Sequence, residues 1–253
     1  METNLWEQFK QSLAIVDKNI RIYYSKGPVI IFGLLMPFFL FLAFYIGRNT
    51  PIEALIPGML GMAAFFTATS VGPAIVPWEA RAKTLERLIS SPVSLRTIFM
   101  GDVLSSFVFG VFVSALAVAA SLLFGVEIIN PFLLCFGLVL STFCFASFSI
   151  LLSAYPPTDN PATIMMLSSM IKFPLIFISG VFIPIDELPV WGKVLSSISP
   201  LTYFVDLDRY SIQGTSYYPI ALDILALIAF TVAFLFVAIT LQNVHMIWFL
   251  NYS

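Results

Sequence analysis

Charge is the scarcest property of this chain: Lys and Arg number 12 and Asp and Glu 14 among 253 residues, 10% together. A soluble domain carries about 25% charged residues. In water this sequence would leave large apolar patches uncovered, because 59% of it is hydrophobic and 15% aromatic. That shortage excludes an ordinary cytosolic enzyme, and the apolar excess argues against disorder. A formal net charge of −2 gives no reason to expect nucleic acid as a partner. Cysteine is nearly absent, and Cys135 and Cys144 share one apolar run, which suits neither a disulfide framework nor a zinc site. The single histidine, His245, lies in the C-terminal tail and cannot make an intramembrane Ser–His pair. No GxxxxGK[ST] phosphate loop, HExxH or clustered acidic metal motif occurs, so the chain has no nucleotide site of that kind and no visible metal site.

Long apolar runs fill the space that charge leaves. Crossing a bilayer core of about 30 Å takes roughly 20 apolar residues. Six such runs are present, at about 28–46, 55–76, 103–124, 132–154, 162–183 and 220–241, and only Lys172 and Asp223 bring charge into them. Their continuity excludes the ten-residue alternation of a membrane barrel. The expected fold is an all-α integral membrane protein with six transmembrane helices. Lys10, Lys18, Arg21 and Lys26 precede span one, and Arg81, Lys83, Arg87 and Arg96 separate spans two and three. Arg48, Lys193 and Arg209 fall on the other side, so the bias puts both termini in the cytoplasm. Trp6, Trp78, Trp191 and Trp248 all stand outside the spans, as interfacial anchors do. The first 27 residues are charged and amphipathic, which does not describe a cleavable signal peptide.

Between the spans, three stretches carry information. From Leu5 to Tyr24, the residues Leu5, Phe9, Leu13, Val16, Ile20 and Tyr23 recur at helical spacing opposite Glu7, Lys10, Gln11, Asp17, Lys18 and Arg21. This reads as an amphipathic helix in the membrane surface, either a passive anchor or a lever, with Gly27-Pro28 as the bend into span one. Trp78–Asp102 is the most charge-dense stretch: Glu79, Arg81, Lys83, Thr84, Glu86 and Arg87 surround Leu85 and Leu88. Thr84–Ile89 can form a short helix that Pro92 stops, and Ser94 can cap the helix entering span three. The cluster suits either a solvated loop or a docking surface. Pro184–Pro219 is the long segment before the last span, with Pro184, Asp186, Pro189, Trp191, Pro200, Asp206 and Arg209. Its Ser199-Pro200 start and Gly214 stop predict a helix, and the aromatic content fits either re-entrant pieces or a folded capping loop. Within the bilayer, Ser106, Gly110 and Ser114, with Gly58 and Gly61, read as helix-packing surfaces. Lys172, before Phe173, is the odd charge near the middle of span five: it either serves a translocation path or snorkels along its stem.

Two of these stretches together resemble a known family, the ABC-type export permeases of the type-2, six-span class. EARAKTLERLISSPVS, Glu79–Ser94, is similar to that family's run of an acidic residue, Thr-Leu-Glu, a leucine pair and a proline. FPLIFISGVFIPIDELPVWGKVLSSISPLTYFVDLDR, Phe173–Arg209, is similar to its span-five exit. Lys83 departs from the pattern, which commonly has glycine before the threonine, and Lys172 stands where an apolar residue is expected. The resemblance implies a surface (elbow) helix over 1–27 and a six-span permease domain over 28–253. It also implies a multi-pass cell-membrane exporter of two permease subunits, a homodimer in the simplest case, with ATP and magnesium held by a separate ATP-binding cassette subunit and no cofactor on this chain. Glu79, Arg81, Lys83, Thr84, Leu85, Glu86, Arg87 and Leu88 would couple to that ATPase. Lys172 and Phe173 would sit on the path between permeases, and Pro184, Asp186, Pro189, Trp191, Pro200, Asp206 and Arg209 would belong to an outer lid. The expected cargo is an amphipathic drug, lipid or glycan. Outside the resemblance, the residues also suit an assembly protein that recruits a cytoplasmic partner, or an ion-coupled carrier using Lys172.

Overall fold

A computed structural model describes residues 5–46, 51–84, 93–153 and 160–252. Among the described residues there is no strand. The helices are α1 (Leu5–Tyr23), α2 (Gly27–Tyr45), α3 (Ile52–Ser70), α4 (Gly72–Arg81), α5 (Leu95–Leu123), α6 (Pro131–Ser153), α7 (Pro161–Ile178), α8 (Val190–Ser196), α9 (Pro200–Gln213) and α10 (Ile220–Tyr252). Six stretches are long and apolar enough to cross a membrane: Gly27–Tyr45, Ile52–Glu79, Arg96–Leu123, Pro131–Ser153, Pro161–Ile178 and Ile220–Leu241. The count is the expected six, and the edges move. Span two is α3 and α4 joined through Val71, and it reaches Glu79 rather than stopping at 76. Span five ends at Ile178 rather than 183, because Ser179 turns back to the Ile176 carbonyl and Gly180 adopts φ +76°.

Local chemistry sets the ends. Ser94 Oγ accepts from the Thr97 N–H at 3.2 Å and opens α5, as the sequence predicts. Asn160 Oδ1 accepts from the Ala162 N–H at 3.1 Å, with Pro161 in the first turn of α7. Pro28 sits in the first turn of α2, and a π turn over Ile31–Leu35 precedes Pro37. Gly214, at φ +74°, ends α9.

The core lies where α3, α6 and α9 meet, with Phe65, Phe66, Phe145 and Phe204 fully buried. Small residues allow the approach. A Cβ on Gly61 would lie 2.5 Å from Val205 Cγ2, and one on Gly137 would lie 2.2 Å from Leu207 Cδ2. The ridge expected on α5 is a packing surface: Gly110 faces Thr142 and Ala68, and Ser106 and Ser114 are buried. Hydroxyls along the helices mostly bond within their own helix. Ser147 donates to the Phe143 carbonyl at 2.9 Å, Ser169 to Met165 at 2.8 Å and Thr231 to Leu227 at 2.7 Å.

Of the two expectations for Pro184–Pro219, the burial of α9 within the bundle is compatible with the re-entrant one. Its first turn lies beside Gly61, and Ser199 Oγ donates to the Leu175 carbonyl at 3.3 Å. Its last residue, Gln213, donates to the Glu53 carbonyl at 2.8 Å. Glu53 is eight residues before Gly61, about 12 Å along α3 at the helical rise. α9 therefore starts inside the bundle and climbs toward the end of α3 that carries Glu53. Pro200, Asp206, Asp208 and Arg209 are buried, whereas Asp186, Pro189 and Trp191 are exposed and Pro184 is half-buried.

The polar groups of α9 are served unequally. Asp206 accepts from the N–H groups of Tyr217 and Tyr218 at 2.9 and 2.7 Å, which fastens the loop into α10. Burial still raises its pKa above the ordinary carboxyl value, against those bonds and Arg209. Arg209 Nη2 donates to the Gly180 carbonyl at 3.3 Å. Neither carboxyl oxygen of Asp208 has a hydrogen-bond partner, and burial pushes its pKa well above the usual range. A carboxyl raised in the folded state binds more protons folded than unfolded, so its contribution is complete below about pH 4 and is lost as pH rises toward the folded value. Asp208→Asn should therefore stabilise the subunit at pH 8 relative to wild type and flatten the fall in stability between pH 5 and 8. Thermal unfolding across that range checks this.

Candidate functional site

The densest polar contacts gather where α1 meets the ends of α4 and α5. One face of α1, made by Ser12, Ile15, Val16, Asn19 and Tyr23, is buried at helical spacing. The apolar stripe expected to face lipid is thus divided. Val16 and Tyr23 pack on protein, while Phe9, Leu13 and Ile20 remain exposed beside Trp6. Gly101 admits the helix, since a Cβ there would lie 2.7 Å from Ile15. Ser12 Oγ donates to the Thr97 carbonyl at 3.1 Å, and the Tyr24 hydroxyl donates to the Ser105 carbonyl. Asn19 Nδ2 donates to Asp102 Oδ1 at 2.7 Å and to Ser105 Oγ at 2.9 Å. Lys18 pairs with Glu79, whose side chain is only 2% exposed.

Glu79 was expected to face the ATPase; here it faces inward. Besides Lys18 it interacts with Tyr23, whose phenol burial pushes above its ordinary pKa, with the Glu79 and Asp102 charges adding to the shift. Tyr23 also stacks on Trp78 at 6.2 Å, and Lys26 lies 5.9 Å above the same indole. Two carboxyls, one lysine, one amide and a phenol thus join α1, α4 and α5. Moving the end of α4 without moving α1 would separate this half-buried charge pair.

Beyond Glu79, the helix ends within one turn. Arg81, Lys83 and Thr84 are exposed, and Thr84 Oγ1 donates back to the Glu79 carbonyl at 3.2 Å. Lys83 adopts φ +54°, the left-handed conformation that glycine takes at little cost. The departure from the resembled pattern therefore falls on a residue whose backbone suits glycine. Leu85, Glu86, Arg87 and Leu88, and most of the helix expected over 84–89, lie outside the described residues.

Lys172 stands in α7 away from this joint. It is 1% exposed, and its amine donates to the Thr69 carbonyl at 3.4 Å, so it presents no charge to open space in this structure. Phe173 is half-buried, its ring 5.8 Å from that of Phe66. The two residues thus face α3 rather than a cavity of this chain. Among the described residues no group of three or more His, Cys, Asp or Glu is arranged to hold a metal ion.

Lys18, Asn19, Asp102 and Ser105 were missed as site residues. Asp102 opening an apolar run, and Asn19 one turn before Tyr23 on the amphipathic helix, were the available signals.

Known proteins similar to this chain are membrane permeases. The family model described as ABC-2 type transporter matches residues 10–213. The chain is 25% identical over 184 residues to the inner membrane transport permease YadH of Escherichia coli K12, covering 72% of this chain and 71% of that protein. It is 26% identical over 159 residues to the probable multidrug ABC transporter permease YbhR of the same organism, covering 61% of this chain and 42% of that protein. The putative transport permease ycf38 of Cyanophora paradoxa is 26% identical over 231 residues, covering 83% and 77%.

The joint and the strained turn can each be probed by stability. Glu79→Gln should cost on the order of 2 kcal/mol by leaving Lys18 and Tyr23 short of their charged partner. Combining it with Lys18→Met should cost less than the sum of the single losses, as a double-mutant cycle of thermal or denaturant unfolding would measure. Lys83→Gly should leave stability unchanged or raise it by up to about 1 kcal/mol, by relieving the positive φ; the same unfolding measurement checks it.

Proposed function

The chain belongs to the ABC-2 type transporter family, as a multi-pass membrane subunit of a class that works with an ATP-binding cassette ATPase, and on that premise we propose that it is the permease of an ATP-driven exporter. Its cargo is an amphipathic drug, lipid or glycan, moved by alternating access. ATP and magnesium act on the separate ATPase subunit. The observation that carries this reading is the α1–α4–α5 joint, which leads from the foot of span two to a charged, partly exposed turn. A passive surface anchor would have little use for a half-buried charge pair to the end of a span.

Both termini, α1 and the 78–94 segment lie in the cytoplasm in this proposal, in keeping with the Lys and Arg bias. Two copies of the chain assemble, with the substrate path between them. Arg81, Lys83, Thr84 and the Leu85–Leu88 stretch contact the ATPase, while Glu79 transmits rather than touches. ATP-driven approach of the two ATPases pushes this turn, and the joint carries the push to α1 and α5 together. On the opposite side, α8 and the buried α9 form the lid. The multidrug designation of one relative supports an amphipathic cargo.

Reversing charge at the contact tests the proposal directly. Glu86→Lys with Arg87→Glu should abolish most of the stimulation of ATP hydrolysis that the permease confers on its ATPase in reconstituted vesicles, about tenfold or more, while membrane insertion stays unchanged. Full stimulation by that double variant would remove the coupling assignment.

A further inference from the structure

The second span is broken in its middle, and the break is closed by side chains from other helices. α3 ends at Ser70 and α4 begins at Gly72, with Pro73 in the first turn. In an unbroken helix the residue at 73 would donate its N–H to the Thr69 carbonyl; proline has none to give. The Lys172 amine, from the middle of α7, occupies that donor's place at 3.4 Å from the Thr69 oxygen. The Gly72 N–H in turn leaves the ladder and donates to Ser149 Oγ of α6 at 3.0 Å. A Cβ at Gly72 would come 2.8 Å from the Ser149 carbonyl oxygen, so glycine is needed for α6 to approach.

The same repair occurs once more on the same span. Pro57 lies inside α3 and withholds its N–H from the Glu53 carbonyl, and Gln213 Nε2 donates to that carbonyl at 2.8 Å. At two prolines of span two, then, the carbonyl four residues earlier receives a side-chain donor from α7 or α9. An unsatisfied carbonyl within a membrane bundle costs several kcal/mol, so the donor to buried Thr69 has a physical task independent of any ligand, while the Gln213–Glu53 bond lies at the exposed end of the span. Lys172 forms no ion pair among the described residues, which a lysine retained for its charge would be expected to have. An amine donates to a carbonyl whether or not it carries the extra proton.

We propose that Lys172 is a positioning residue that clamps the break in span two, replacing the N–H that Pro73 lacks and thereby fixing the angle of α4, the lever that ends at Glu79. The clamp ties α7 to the last turn of α3, from which that lever departs. Since α7 leads through Gly180 to the α8–α9 lid, displacement of the Glu79 end reaches the lid through this contact as well as through the core. Lys172 then acts on transport by holding geometry, and the cargo does not touch it.

Restoring the missing backbone donor tests this, because it should make the lysine dispensable. Lys172→Met should lower the thermal midpoint of the purified subunit in detergent. It should also reduce, about tenfold, the ATPase stimulation the permease confers in vesicles of phosphatidylethanolamine and phosphatidylglycerol. Adding Pro73→Ala should recover most of both losses. Should Lys172→Met fail to accumulate in the membrane, accumulation of the Lys172→Met, Pro73→Ala double variant supports the clamp, and its failure to accumulate overturns it. A double variant as impaired as Lys172→Met alone, or a Lys172→Met variant indistinguishable from wild type, also overturns it. The inference uses the exporter reading only for the ATPase arm. A chain that never stimulates an ATPase would still show rescue in the thermal measurement, so the two failures are separable.

Discussion

A backbone inside a membrane must satisfy its own hydrogen bonds, and in this protein that requirement governs where helices can break. Span two contains Pro57, Pro73 and Pro77, more interruptions than its length would tolerate alone. Side chains from α6, α7 and α9 arrive at the carbonyls and the amide that two of those interruptions release. The tertiary arrangement and the kinks are consequently one problem. α7 cannot be moved far without stranding a buried carbonyl of α3, and α3 cannot straighten without stranding the donors that reach it.

This dependence links the two ends of the molecule. At one end, Lys18, Asn19, Glu79 and Asp102 bind α1 to the feet of α4 and α5. At the other, Arg209 and Asp206 hold the turns on either side of α9. Between them the bundle relies on apolar contact among Phe65, Phe66, Phe145 and Phe204, which favours particular arrangements without fixing a single one. The break at Ser70–Pro73 is a polar contact between these regions and lies on the route through the chain from Glu79 into the core.

Much of this architecture was legible in the sequence, and the failures are instructive. Apolar run length identified six spans, and local chemistry at Ser94, Pro200 and Gly214 identified helix ends, because both depend on neighbouring residues only. Hydrophobic periodicity found α1 but assigned Val16 and Tyr23 to lipid, since burial by protein and burial by lipid select the same residue types. Glu79 looked like part of an exposed charged cluster because its partner, Lys18, is 61 residues away. Lys172 looked like a charge in search of a substrate because its acceptor is a backbone carbonyl, which no side-chain pattern reveals. Pro57 and Pro73 gave the relevant signal: each leaves the carbonyl four residues earlier without its backbone donor. The departure at Lys83 acquired meaning only with its positive φ.

The hydroxyls along the spans have a mechanical consequence. Ser147, Ser169 and Thr231 donate to carbonyls of their own helices, so those bonds travel with the helix that bears them. Sliding one such helix past its neighbour breaks none of these carbonyl bonds, and the resistance comes mainly from side-chain interlock. The cross-helix bonds described above are gathered at the α1 joint, the break in span two and the α9 turns. A bundle pinned at a few stations and smooth between them deforms as a linkage of rigid rods, with its compliance concentrated where the pins are.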